Sequence, residues 1–158
     1  MSQPATFGPP TSRPTAGGAH IAVHLVPVLE GAIVAFDVTA PEARGRWLPW
    51  DLLDYAGNPY ETAAALADDW CGGDITDLRL VDALSFPEQA GSWELALIFR
   101  AELGAMPPAD DARTPVALPA DDPGPIWRFD PVDLTRWAAS TRPSAQTRHR
   151  PSRDDLLF

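Results

Sequence analysis

The sequence contains no lysine and only one cysteine. All twelve basic residues are arginine, a bias typical of a GC-rich genome, since no physical role demands arginine at every basic position. The lone Cys71 excludes an internal disulfide, and beside Trp70 it is expected to be a small buried hydrophobe. The three histidines, His20, His24 and His149, lack the spacing of metal ligands.

Long apolar runs are also missing. The apolar stretch 21–36 is interrupted by His24, Pro27 and Glu30, which excludes a membrane span. The first nineteen residues are rich in Pro, Ser, Thr and Gly and lack the apolar centre of a signal peptide. We therefore expect a cytoplasmic protein that does not enter a membrane.

Positive charge is scarce in the body of the chain. Residues 21–138 contain twenty acidic residues and seven arginines, a net charge of −13. An acidic body repels phosphate backbones, which argues against nucleic-acid binding. The last twenty residues instead carry a net charge of +2. This basic tail suggests a site that recruits an acidic protein partner while the domain serves as a scaffold.

The length of 158 residues suits a single domain, and eighteen prolines with eleven glycines exclude an all-helical protein. Turn-forming composition predicts a flexible Pro-rich segment at 1–18 and a flexible basic Pro/Ser/Arg-rich tail at 141–158. The folded domain is therefore expected to span 19–140.

Alternating apolar residues predict several strands in this domain. A turn is expected at Glu30-Gly31, and Trp93–Leu103 is the clearest strand because an apolar residue occupies every second position. The other predicted extended segments are 21–25, 31–36, 47–50, 79–84 and 126–129. The segment 106–125 holds six prolines and is predicted to be a loop.

Two helices have clear boundary signals. Asn58 is a good N-cap, Pro59 suits the first helical position, and Gly72-Gly73 supply the stop. The apolar face of this first helix consists of Ala63, Leu66, Ala67 and Trp70. Asp130 and Pro131 begin the second helix in the same way.

This order of elements resembles the Nudix fold. The segments that carry the resemblance are 45–49, 56–64, 80–84, 93–101 and 125–134, in the order and spacing of the family. The resemblance implies an α+β domain, an α/β/α sandwich in which helices flank a mixed β-sheet. It covers roughly 19–138, the whole of the expected domain.

The resemblance also implies a chemistry. Nudix members that hydrolyse nucleoside diphosphate derivatives carry Gly-x5-Glu-x7-Arg-Glu-U-x-Glu-Glu-x-Gly-U, where U is bulky and aliphatic. Glutamates on one side of the helix hold Mg²⁺ or Mn²⁺ ions, which neutralise the pyrophosphate and activate water. An active enzyme of this type would require Mg²⁺ or Mn²⁺, whereas an inactive one would need no cofactor.

This sequence departs from the box at most of these places. If Leu66 is aligned with the aliphatic position U, Ala64-Ala65 stand where the motif has Arg-Glu, and Asp68-Asp69 stand where it has Glu-Glu. This alignment leaves one extra residue before the glycine. If the alignment is anchored on the glycine of the motif instead of on Leu66, the Asp68-Asp69 pair no longer stands at the Glu-Glu positions of the motif. The Arg-Glu pair is lost under either alignment, so the box is interpreted as degenerate.

The candidate catalytic and metal-binding residues are Asp68 and Asp69. Glu61 and a strand carboxylate, Glu94 or Glu102, would complete the ligand set. The alternative, which we favour, is a solvated helix face, because a late-helix Asp pair costs only a few tenths of a kcal/mol. Such a small cost requires no function to explain it.

Two further residues are candidate ligand contacts. Trp50 replaces a glycine in the loop that faces the expected phosphate site, where a bulky ring would crowd a pyrophosphate or stack on a base. Arg46 flanks the site and would contact an anionic ligand. Trp47 and Trp127 occupy positions typical of core or strand packing.

The sequence therefore supports two main hypotheses. In the first, a Nudix-fold protein with a degenerate box is catalytically weak or inactive and binds a nucleotide-like ligand or a protein partner. The alternative is a divergent Mg²⁺-dependent hydrolase that cleaves a nucleoside diphosphate linked to another moiety. Whether the chain is an enzyme stays open at this point.

Overall fold

The computed structural model describes residues 18–87 and 91–141. The two predicted tails, 1–18 and 141–158, lie outside these ranges except for Gly18 and Thr141. The predicted boundaries of the folded domain thus stay a prediction. Within the described part of the chain, no helix is long and apolar enough to cross a membrane.

A mixed sheet of seven strands forms the centre of the described residues. The strands are β1 (Ala19–Leu29), β2 (Ala32–Val38), β3 (Gly45–Trp47), β4 (Trp50–Leu52), β5 (Ile75–Pro87), β6 (Trp93–Leu103) and β7 (Arg113–Leu118). The main order is β3-β2-β1-β6-β5, while β4 pairs with β1 and β7 pairs with β2. A short 3-10 helix, Pro41–Ala43, precedes β3. The predicted turn between β1 and β2 is confirmed, with positive φ at Glu30 and Gly31.

The only parallel pair among these strands is β1 with β6, at the middle of the sheet. Their register runs from Ala19 opposite Trp93 to Val28 opposite Glu102. Both strands are largely buried, as expected for a parallel pair that is covered on both faces. The predicted limits of Trp93–Leu103 are confirmed.

Two helices cover the two faces of the sheet. Helix α1 (Pro59–Cys71) packs by Ala63, Leu66 and Ala67 into one apolar cluster with alternate residues of β1 and β6. Helix α2 (Pro131–Ala139) packs by Leu134 and Trp137 into a second cluster that contains the intervening residues. The α+β sandwich predicted from the sequence is confirmed.

The predicted start signals of both helices and the predicted stop signal of α1 are confirmed. The side chain of Asn58 accepts a hydrogen bond from the Tyr60 amide, and Gly72 ends α1 in the left-handed conformation with φ of 78°. The Asp130 carboxylate accepts a hydrogen bond from the Val132 amide at 2.8 Å. Local capping chemistry therefore sets where both helices begin, independently of the sheet.

The prediction of a loop over 106–125 was wrong in part, because residues Arg113–Leu118 form β7. This strand pairs with β2 alone, from Ile33 opposite Leu118 to Val38 opposite Arg113. A proline is tolerated on such an edge strand because its missing N–H can face away from the partner. The high proline content of this segment therefore predicted a loop, although Arg113–Leu118 form a strand that contains Pro115.

The predicted last strand at 126–129 was also wrong. A single bridge joins Ile126 to Phe129, and the chain turns between them with a φ of 48° at Trp127. The Phe129 amide donates to the Ile126 carbonyl at 3.1 Å, which closes the turn. The turn is needed because Asp130 begins α2 immediately afterwards.

Cys71 is buried at the end of α1, as the sequence predicted. Burial raises the pKa of its thiol to about 12, so the reactive thiolate is scarce at neutral pH. We expect labelling by a thiol-specific reagent to be slow in the native protein and fast in denaturant. Absorbance of the released thiolate measures both rates, and fast labelling of the native protein would contradict the burial.

Candidate ligand site

Two adjoining cavities share Trp47 and Trp50 as a common wall. The larger one, here called the helix-side cavity, measures about 630 Å³ and is also lined by Leu66, Asp69 and Trp70 of α1. The smaller one, here called the tryptophan cleft, measures about 300 Å³. The residues that line the tryptophan cleft are His20, Trp47, Trp50, Leu52, Glu94 and Trp127.

The link between β3 and β4 positions the two shared tryptophans. The Pro49 carbonyl accepts a hydrogen bond from the Leu25 amide at 2.9 Å, which ties the link to β1. The Trp47 indole donates to the Ala43 carbonyl at 2.8 Å. The two rings lie roughly parallel, with centroids 6.3 Å apart, and Trp50 remains 38% exposed. Trp50 therefore offers aromatic surface to both cavities.

A buried carboxylate lines the tryptophan cleft. Glu94 is 5% exposed, and its Oε2 atom accepts hydrogen bonds from Arg128 at 2.7 Å and from His24 at 3.4 Å. Burial by itself raises the pKa of Glu94, but the His24 and Arg128 contacts outweigh it and hold the pKa below its ordinary value. The cleft thus contains an ionised hydrogen-bond acceptor at neutral pH.

Aromatic rings hold Arg128 against this carboxylate. The guanidinium carbon lies 3.9 Å above the Trp127 ring and 4.2 Å above the Phe86 ring. Such cation–π contacts are stronger where the cation is partly desolvated. The turn at 126–129 therefore positions Trp127, which lines the cleft, and Arg128, which is the counterion of Glu94.

His24 is buried between the rings of the cleft. It is 1% exposed and stacks on Trp127 at 5.3 Å and on Trp50 at 6.3 Å between ring centroids. Burial lowers the pKa of His24, and the neighbouring Arg128 acts in the same direction, while Glu94 opposes both. The imidazole is therefore neutral in the folded protein near pH 7.

This burial predicts a loss of stability in mild acid. The unfolded chain takes up a proton at His24 with the ordinary pKa of 6.5, whereas the folded chain resists it. The unfolded state then binds more protons, so the free energy of unfolding falls as the pH drops below about 6.5. Melting temperatures measured from about pH 7.5 to pH 5 test this, and a His24→Gln variant should show a flatter profile. An equal slope in both proteins would contradict the assignment.

The two predicted metal-binding aspartates point to different partners. Asp69 is exposed and forms an ion pair with Arg113 at 3.3 Å, and the Arg113 guanidinium also lies 4.2 Å from the Trp70 ring centroid. The Asp68 carboxylate lies against Gly73, where an added Cβ would come within 2.7 Å of its Oδ1 atom. Asp69 lines the helix-side cavity, and Asp68 is not part of its lining.

The other predicted site residues are dispersed. Glu61 is exposed in the first turn of α1, about 10 Å along the axis from Asp68. Glu102 pairs with Arg100 at 2.7 Å, near the opposite end of β6 from Glu94. Arg46 is bound by Asp37 through two hydrogen bonds of 2.8 and 3.2 Å.

These positions do not fit the carboxylate cage that the Nudix resemblance implies. Glu94 belongs to the face of the sheet that packs on α2, whereas Asp68 and Asp69 lie on α1 across the sheet. Within residues 18–87 and 91–141, no group of three or more His, Cys, Asp or Glu side chains is placed to hold a metal ion.

Sequence reasoning missed most of the residues around the two cavities. Arg113, Arg128 and His24 were not proposed as site residues, and Trp47 and Trp127 were expected only to pack. His24 and Glu94 share one face of the sheet on neighbouring strands, which can be recognised only when the parallel register of β1 and β6 is known. Trp50 is the predicted residue that lies in both cavities.

Comparison with known proteins identifies the fold. No protein-family sequence profile matches the chain, and no curated protein sequence matches it. Its structure is similar to that of the MutT Nudix hydrolase from Burkholderia pseudomallei, with a TM-score of 0.58 and 15% identity over 75% of this chain and 97% of that one.

Two other solved structures show the same similarity. The Nudix hydrolase from Nitrosomonas europaea matches with a TM-score of 0.53 and 12% identity, covering 66% of this chain and 74% of that one. The MutT/Nudix family protein from Enterococcus faecalis matches with a TM-score of 0.52 and 12% identity, covering 70% and 45%. At these identities the similarity concerns the fold alone. The chain has the Nudix hydrolase fold.

Proposed function

We propose that this Nudix-fold protein acts by binding a nucleotide-like ligand rather than by hydrolysing a pyrophosphate. The observation that carries the proposal is the tryptophan cleft, in which Trp47, Trp50 and Trp127 line the same cavity as a buried, ionised Glu94. Aromatic side chains stack on nucleobases with about 1–3 kcal/mol per base. An accessible indole beside a buried acceptor suits a flat ring that carries N–H groups.

The charge of the helix-side cavity supports a ligand that is bound mainly through its ring. Three carboxylates, Glu42, Asp51 and Asp69, line this cavity together with one cation, Arg113. Arg113 is already paired with Asp69, so a phosphate entering without a metal ion would meet net negative charge. The nucleoside portion is therefore the part of a nucleotide that the two cavities favour.

The positions of the acids argue against the alternative of a divergent hydrolase. Nudix-type hydrolysis needs several carboxylates converging on one or more divalent ions. Here Asp69 faces Arg113, and Asp68 lies against Gly73. Bringing both to one ion would require the ion pair to break and the end of α1 to rearrange.

A ligand and turnover panel tests the proposal. The full chain is titrated with nucleosides and nucleoside diphosphate derivatives, with and without Mg²⁺ or Mn²⁺, while tryptophan fluorescence reports binding. We expect nucleoside binding that needs no metal and no release of products from the diphosphate derivatives. Metal-dependent turnover that is abolished in an Asp68→Asn, Asp69→Asn double variant would overturn the proposal and establish the hydrolase.

A further inference from the structure

The Glu94 carboxylate, which lines the tryptophan cleft, is suited to accept hydrogen bonds from a ligand. The hydrogen bonds that reach Glu94 from His24 and Arg128 both end on Oε2, and neither uses Oε1. A ligand that fills the cleft therefore gains most if it brings N–H donors to the Glu94 carboxylate.

The size of the cleft restricts what can enter. Its volume of about 300 Å³ is at the lower end of the range of about 300–1,000 Å³ for ligand pockets. A single ring system fits this volume better than a complete nucleotide does. The remainder of a ligand would extend past Trp50, which also lines the larger helix-side cavity.

We propose that the tryptophan cleft selects a guanine-type ring, in which a ring N–H and an exocyclic amino group are adjacent on one edge. Glu94 accepts from these donors, and Trp50 stacks on the ring. This inference rests on the proposed nucleotide-like ligand and names its base. Glu94 is thus the specificity-determining residue of the cleft.

The hydrogen-bonding edges of the bases explain this choice. A carboxylate only accepts, so an acceptor atom of the ligand placed against it is repelled. Adenine and cytosine place a ring acceptor beside their amino group, and uracil has a single N–H between two carbonyl groups. Hypoxanthine keeps the ring N–H of guanine but lacks the amino group. Guanine is the common base with two neighbouring donor groups.

Uncharged nucleosides provide the cleanest test, because they remove the repulsion between phosphates and the acidic cavity. The full chain is titrated with guanosine, inosine and adenosine by calorimetry. We expect guanosine to bind at least about tenfold more tightly than inosine or adenosine, since each loses a charge-assisted hydrogen bond. Equal affinities for the three nucleosides would overturn the inference while leaving the proposed function standing.

A matched pair of variants tests the role of Glu94. Glu94→Gln keeps the shape but replaces one acceptor by a donor, and we expect it to remove the preference for guanosine over inosine. Glu30→Gln makes the same change in the exposed turn at the far end of β1 and should keep the preference. A preference retained in Glu94→Gln would overturn the inference.

The titrations of the unaltered chain with the three nucleosides do not require that the Glu94→Gln variant folds. Circular dichroism and thermal melting establish whether Glu94→Gln is folded, since it loses a buried carboxylate that pairs with Arg128. Failure of every nucleoside to bind the unaltered chain would overturn the proposed function and this inference together. Binding of adenosine as tight as that of guanosine overturns the inference alone.

Discussion

Replacing Trp137 with alanine is expected to lower the free energy of unfolding by about 3–5 kcal/mol, the usual cost of removing a large buried aromatic side chain. Trp137 is 1% exposed and belongs to the apolar cluster that joins α2 to the sheet. Its indole also donates to Asp82 at 2.8 Å, which ties the helix to β5. Urea denaturation followed by circular dichroism measures the change.

Val132 provides the control on the same helix. Its side chain is 73% exposed, so Val132→Ala should change the free energy of unfolding by no more than about 0.5 kcal/mol. A Trp137→Phe variant helps to separate the contributions, because it retains most of the apolar contact and loses the hydrogen bond to Asp82 together with a small part of the buried ring. If Trp137→Ala were as stable as Val132→Ala, the packing of α2 on the sheet would be contradicted.

Replacing Trp50 with alanine is expected to weaken nucleoside binding by roughly 5-fold to 150-fold, the equivalent of about 1–3 kcal/mol of stacking on one base. The ring is 38% exposed and lines both cavities, so its removal takes away ligand contact rather than core packing. Calorimetry with guanosine measures the affinity, and thermal melting should show only a small loss of stability.

Tyr55 is the matched aromatic control for this change. It is 65% exposed and lies outside the linings of the two cavities. Tyr55→Ala should therefore leave the affinity for guanosine unchanged. Equal affinity in Trp50→Ala and the unaltered chain would show that the ligand does not stack on Trp50, and it would remove the main support for a ring-binding cleft.

The elements that the sequence predicted correctly are those whose signals are local. Asn58 sets the start of α1 and Gly72 sets its end, through contacts with residues a few positions away in the chain. Asp130 caps the start of α2 in the same way. The alternation over Trp93–Leu103 predicted β6 to the residue, because the pleat of a strand repeats every two positions. The two errors, β7 and the turn at 126–129, occurred where pairing partners distant in sequence decided the conformation.

The candidate site was predictable only in part, for the same reason. Trp50 was identified because it stands where the fold's pattern has a glycine, and the structure places it in both cavities. The joint position of His24, Glu94 and Arg128 depends on the parallel register of β1 and β6 and on the turn before α2. Neither is encoded in residue spacing along one segment.

By itself, the sequence determined where both helices start and where α1 ends, the central strands, the acidic body and the absence of an internal disulfide, because each follows from local pattern or composition. Only the tertiary structure decided which carboxylates meet. It places Glu94 in one cavity with three tryptophans, whereas Asp69 pairs with Arg113 on the other face of the sheet. The physical reason is that the sheet separates side chains by face, and faces are set by strand register between segments far apart in the chain.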